Sequence, residues 1–160
     1  MQTSGVLDNS ILMIYGDHNA MTISDKDNIE KTIKKDLNKD YQWQDYQKVP
    51  LIMRLSDTKM KGINHNSVGE VDVMPTVFDL YDINGIKHFG SSVLDNKNHL
   101  VVLRDGSYVY GRNFYDKKNN TTYNLDSGKI LSNDLKKINE AKNQLNASDY
   151  IIRYNYLKNK

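Results

Sequence analysis

The chain of 160 residues has no cysteine, which excludes disulfides and thiol chemistry and leaves the compartment open. It lacks any run approaching the roughly 18 apolar residues of a membrane span. Its N-terminus, Met1-Gln2-Thr3-Ser4-Gly5, is polar and uncharged and does not read as a secretory signal. It also lacks a charge of one sign: 22 Lys and Arg face 20 Asp and Glu, interspersed, for a formal net charge of +2. That balance gives no strong pull toward nucleic acid. There is no Gly-rich phosphate loop, no Gly-x-Ser-x-Gly elbow, no internal repeat and no low-complexity linker.

Apolar residues are scarce as well. With Gly counted and the eleven Tyr left out, they make up about 37% of the chain, against about 45–50% in ordinary globular domains. One explanation is a wet, Asn- and Lys-rich domain that uses Tyr in place of Phe. The other is that part of the core belongs to further sequence. Composition does not choose between them.

What is present has a clear order. Ser10 to Tyr15 contains the consecutive apolar residues Ile11, Leu12, Met13 and Ile14, a pattern expected of a parallel-sheet strand buried on both faces. Residues Lys26 to Lys39 place Ile29, Ile33 and Leu37 at helical spacing, on a thin apolar stripe suited to a surface helix. Val49 to Leu55 reads as a second buried strand, with Pro50 at its start. Ser56 to Asn66 reads as a polar loop, and Asp72 to Tyr81 as a helix with Pro75 in its first turn and Asn84-Gly85 beyond its end.

From Leu100 the texture changes. Short strands at Leu100–Leu103, Ser107–Gly111, Asn113–Tyr115 and Thr121–Asn124 are broken by Asp105-Gly106, by the turn of residues 117–120 and by Ser127-Gly128. Such punctuation predicts antiparallel hairpins. Leu131 to Leu157 reads as mostly helical and needs a partner for its apolar points.

The first strand stops at Gly16-Asp17-His18. In open α/β sheets, ligands bind beyond the carboxyl ends of strands. A carboxylate beside an imidazole offers one oxygen and one nitrogen to a divalent metal. The competing reading makes Asp17 a turn cap and His18 an ordinary loop residue. His65 lies in a polar loop and could face the same site or solvent. His88 and His99 sit near turns without a partner at ligand spacing. Glu70 and Asp72 could do acid/base work together, although helix capping by Asp72 is simpler. Asn120-Thr121-Thr122 and Asn146-Ala147-Ser148 match the weak glycosylation pattern.

Four segments in order carry a resemblance. Leu7-Asp8-Asn9-Ser10, the aliphatic strand and Tyr15-Gly16-Asp17-His18 come first. Lys48 to Met53 resembles a "VPLII" strand, and Gly69-Glu70-Val71-Asp72-Val73-Met74-Pro75-Thr76 resembles a "GQVDVMPT" helix start. Gly90-Ser91-Ser92-Val93-Leu94 resembles an "FGxxLL" stretch. Together they resemble lipoteichoic acid synthases, phosphoglycerol transferases of the sulfatase and alkaline phosphatase superfamily. The match runs from about Ser4 to Leu157 and covers only the C-terminal part of that catalytic domain.

The resemblance implies an α/β fold. Residues 1–98 would be the end of a partial alkaline phosphatase-like sheet with flanking helices. Residues 99–160 would be a small antiparallel sheet with a C-terminal helix. It implies that Asp17 and His18 bind a divalent metal, manganese or magnesium. A nucleophilic Thr and an acidic ligand would lie in a missing N-terminal half, so no catalytic residue is expected in this chain. That Thr would pass glycerol phosphate from the phosphatidylglycerol head group to a growing polymer, on the extracellular face of a bacterial membrane. Thr22 or Ser24 would contact substrate, although Asn19 to Ser24 departs from the family's aromatic-glycine step, and Glu70 replaces a Gln. Met1 is then expected to begin inside a longer protein. Two alternatives stay open: a sulfatase or phosphatase-type hydrolase of the same superfamily, or a non-catalytic binding module.

Overall fold

The computed structural model describes residues 5–18, 26–37, 48–56, 61–95 and 97–159. The chain divides into two units, residues 1–63 and 64–160.

In the first unit, a 3-10 turn at Val6–Asn9 leads into strand β1, Leu12–Tyr15. Helix α1 covers Lys26–Leu37, where Ile29 is half-buried and Lys26 reaches Glu30 one turn on at 3.8 Å. Strand β2, Leu51–Arg54, returns beside β1. The two are antiparallel, with Leu12 opposite Arg54 and Tyr15 opposite Leu51. This corrects the expectation of parallel strands buried on both faces. Among the described residues each has one strand neighbour, and Leu12, Ile14, Tyr15 and Ile52 are exposed. A consecutive apolar run puts apolar side chains on both faces of a strand, but it does not say which neighbour will pair or whether either face is covered.

Two contacts fix the ends of this ribbon. The Arg54 guanidinium donates to the carbonyl of Leu7 at 2.6 Å. At the other end a Cβ on Gly16 would lie 2.7 Å from Cβ of Val49, so the glycine is required by the close approach of the two strands' flanks.

The second unit is organised around a short helix and an antiparallel sheet. A 3-10 turn at Glu70–Asp72 runs directly into α2, Val73–Leu80. Pro75 is buried in the first turn of α2, where its missing N–H costs nothing. Thr76 is fully buried; its hydroxyl donates to the Asp72 carbonyl at 2.5 Å and accepts the Val93 N–H at 3.0 Å. That pair of bonds ties the segment after α2 back onto the helix.

Strands β3 (Leu100–Val102), β4 (Tyr108–Tyr110), β5 (Asn113–Asp116), β6 (Thr121–Asn124) and β7 (Ile130–Leu131) pair in chain order, each antiparallel to the next. The expected hairpins form where the turn residues stand. The Leu103 N–H donates to the Ser107 carbonyl across Asp105-Gly106, and the Gly128 N–H donates to the Asn124 carbonyl. The expected helix over Leu131–Leu157 is shorter at both ends. Ile130 and Leu131 pair with Tyr123 and Thr122 as β7. Asp134 then caps α3, Leu135–Arg153, by accepting the Lys137 N–H at 3.1 Å. Asn155, at φ 47°, ends the regular helix in the left-handed region.

As expected, α3 packs on the sheet. Ala141 meets the stacked rings of Tyr108 and Tyr115, 5.1 Å apart, with Leu100, Val102, Tyr110 and Ile138 around them. Tyrosine does serve here as the core aromatic, and its polar end is satisfied: the Tyr115 hydroxyl donates to Asn120 at 3.0 Å. Lys137 sits over the Tyr110 ring at 4.3 Å.

Candidate functional site

β1 ends at Tyr15, and Gly16 leads the chain past Val49 into Asp17 and His18. Both side chains are more than four-fifths exposed, and the imidazole Nε2 lies 3.8 Å from a carboxylate oxygen of Asp17. The two side chains stand side by side.

The donor set can be tested against an ion. Nitrogen and oxygen ligands sit about 2.0–2.2 Å from a small divalent cation, so two donors on one ion can be at most about 4.4 Å apart. The separation of 3.8 Å meets that limit. Adjacent positions on an octahedral ion with bonds of about 2.1 Å are about 3.0 Å apart, so Asp17 and His18 would share an ion as neighbouring ligands only after closing up on it. Among the described residues no group of three or more His, Cys, Asp or Glu side chains is placed to hold a metal. Two donors alone do not enclose an ion.

The other candidates fall in different places. Thr22 and Ser24 lie outside the described residues. His65 belongs to the second unit and is exposed. Glu70 is exposed while Asp72 is 2% exposed, so they do not form a shared carboxylate site. Nor does the Asp72 side chain cap α2. It reaches back to the Gly69 N–H at 2.8 Å and across to the Ser91 N–H at 2.9 Å.

His99 is not the ordinary residue near a turn that its sequence setting predicts. It is 5% exposed, with Nδ1 3.3 Å from Asp72 and Nε2 3.3 Å from Asp95. One signal was available, since Asp95 stands four residues before it; the other partner comes from a distant segment.

A family model described as Sulfatase matches residues 1–83, just over half of the chain. The chain belongs to the sulfatase family. Among curated relatives, this sulfatase-family chain is 33% identical over 165 residues to "Lipoteichoic acid synthase 1" of Bacillus subtilis (strain 168), covering 99% of the chain and 25% of the relative. It is 28% identical to "Lipoteichoic acid synthase 2" of the same organism, again over 99% of the chain and 25% of the relative. "Lipoteichoic acid synthase" of Staphylococcus aureus (strain USA300) is 30% identical over 83% of the chain and 19% of the relative. The sulfatase-family chain thus spans about a quarter of the length of the relatives it matches. None of its described helices is long and apolar enough to cross a membrane.

Proposed function

We propose that this chain is the C-terminal part of a metal-dependent phosphoglycerol transferase. The complete enzyme would move glycerol phosphate from phosphatidylglycerol to a cell-envelope polymer, as in lipoteichoic acid synthesis. Residues 1–98 would end its catalytic domain and residues 99–160 would form a β subdomain. The observation that carries the reading is the Asp17–His18 pair, 3.8 Å apart at the end of β1, in a sulfatase-family chain whose relatives are lipoteichoic acid synthases.

Asp17 and His18 would hold Mn2+ or Mg2+ together with ligands from the rest of the enzyme. When bound, such an ion supplies positive charge that favours an ionised nucleophile and neutralises phosphoryl oxygens. Asp17 brings a formal negative charge to that corner, and His18 a neutral nitrogen donor. Ligation needs the imidazole unprotonated, so metal affinity falls as pH is lowered. Thr22, Ser24 and His65 are proposed as substrate contacts on the resemblance alone.

The test compares manganese-dependent release of glycerol phosphate from a lipid head-group analogue by the full-length enzyme and by residues 1–160. The full-length enzyme should turn over, Asp17→Asn and His18→Ala in it should fall to background, and the 160-residue chain should be inactive. Robust metal-dependent turnover by residues 1–160, lost on Asp17→Asn, would show that a complete site resides here. Full activity of the Asp17→Asn enzyme would remove the proposed ligand. A second reading, a hydrolase of the superfamily, is favoured by the Sulfatase description of the matching family model. It predicts release to water with no transfer to a polymer acceptor.

A further inference from the structure

Between the antiparallel sheet and α3 lies a cleft that belongs wholly to the second unit, and its rim is cationic. Its volume is about 370 Å³, enough for a small ligand. Three basic side chains line it from three elements: Arg104 from the turn after β3, Lys117 from the start of the turn after β5, and Lys142 from the middle of α3. Ile138 and Leu145, four residues before Lys142 and three after it, add half-buried aliphatic surface from the same face of the helix.

The carboxylates in the cleft are already engaged. Asp149 accepts from the Arg104 guanidinium at 2.7 Å. A guanidinium has five N–H groups, so that bond leaves others to face a ligand. Both oxygens of Asp105 accept from Ser107, one from its N–H at 2.9 Å and one from its hydroxyl at 3.1 Å. Among the described residues Lys117 and Lys142 have no carboxylate partner. Three cations against two carboxylates leave the cleft one positive charge in excess.

Lys117 is fixed at its base. Ser107 is 2% exposed, and its hydroxyl accepts the Lys117 N–H at 3.0 Å while donating to Asp105. The β3–β4 turn is thereby tied to the β5–β6 turn. A Cβ on Gly106 would lie 3.5 Å from Cγ of Lys117, so the lysine stem runs over that turn, where Gly106 holds a φ of 92°. The stem carries its ammonium toward the cleft that Lys142 lines from the helix.

Two like charges on one cleft repel each other, and an anion between them removes that repulsion. Donors arriving from three elements suit a tetrahedral group, whose oxygens point apart, better than a planar carboxylate. An excess of one positive charge matches a phosphodiester, which carries one negative charge, and the aliphatic surface suits the carbon chains it joins. We propose that this cleft binds a phosphodiester, with Lys117 and Lys142 on its charged oxygens, Arg104 completing the set, and Ile138 and Leu145 against its carbon chain. All of these residues lie in the second unit, so the site stands or falls apart from Asp17 and His18.

Amide shifts of the nitrogen-15-labelled 160-residue chain, followed during titration with diethyl phosphate, read occupancy residue by residue. The Gly106, Lys117 and Lys142 amides should shift along one saturating curve, and added salt should weaken binding. Lys117→Ala and Lys142→Ala should each weaken it about threefold, the scale of exposed charge pairs. Lys118→Ala, next in the chain but outside the cleft, should leave it unchanged. Phosphatidylglycerol vesicles separate the two sources of such a group. Displacement of diethyl phosphate by the vesicles assigns the site to a lipid head group, and no displacement assigns it to a free phosphodiester chain; either result keeps the site. Acetate binding as tightly as diethyl phosphate would overturn the phosphodiester assignment. Shifts that never saturate, or a loss on Lys118→Ala equal to that on Lys117→Ala, would overturn the site itself.

Discussion

Replacing Thr76 by Val tests how the second unit is held together. The two side chains have nearly the same shape, so the substitution removes a hydroxyl and little else. That hydroxyl donates to the Asp72 carbonyl and accepts the Val93 N–H, and Thr76 is fully buried. In Thr76→Val the Val93 N–H loses its acceptor in a dry setting. An unpaired buried donor costs about 1–3 kcal/mol. The Asp72 carbonyl loses a second donor, which adds less, because a carbonyl has two lone pairs. A loss of about 2 kcal/mol should lower the melting temperature of a domain this size by roughly 10 °C. Thr76→Ser keeps both hydrogen bonds and loses one methyl, for about 1 kcal/mol. The assay is urea unfolding followed by near-UV circular dichroism, where the stacked Tyr108 and Tyr115 report on this unit. Thr76→Val should unfold at lower urea than Thr76→Ser. The reverse order would refute the claim that the hydroxyl, and not the packing of the methyl, joins α2 to the segment around Val93.

Two further outcomes follow from the same kind of reading. Gly16→Ala should weaken the β1–β2 ribbon by about 1–3 kcal/mol through overpacking on Val49, and Val49→Gly, which removes the Cβ that the new methyl meets, should relieve that clash more than Val49→Ala, which keeps it; hydrogen exchange of the β1 amides would register the difference. Tyr108 ionises at higher pH than a free tyrosine, first because burial desolvates the phenolate and then because of the charges of Asp134 and Tyr115. Above pH about 10 the unfolded chain therefore releases a proton that the folded chain keeps, so stability falls as pH rises; the Tyr108→Phe variant should show a shallower alkaline decline in urea midpoint.

The parts legible in the sequence were those encoded locally. The hairpins after Leu100 announce themselves through Asp105-Gly106 and Ser127-Gly128, and α1 through Ile29, Ile33 and Leu37. That Asp17 and His18 stand just past the end of a strand was readable because they directly follow an aliphatic run. The antiparallel pairing of β1 with β2 was not, since four apolar residues in a row carry no information about face or partner. The strand at Ile130–Leu131 is too short to show a period, and its residues continue smoothly into the helical pattern of α3. The burial of His99 depends on Asp72, which is distant in the chain and joined to it only by folding.

The exposed apolar ribbon of the first unit has a consequence for register. Where one face of a strand is buried and the other polar, a one-residue slip exchanges the two and is strongly resisted. Leu-Met-Ile-Tyr in β1 and Leu-Ile-Met in β2 offer no such resistance, because a slip would trade one apolar side chain for another. Alignment must then come from the ends of the ribbon: Arg54 bound to the Leu7 carbonyl at one, and Gly16 pressed against Val49 at the other. A single-residue slip would carry Asp17 and His18 about 3.4 Å along the strand axis. That is more than the whole length of a metal–ligand bond of about 2.1 Å. Arg54 and Gly16 therefore act as the gauge that sets where Asp17 and His18 stand.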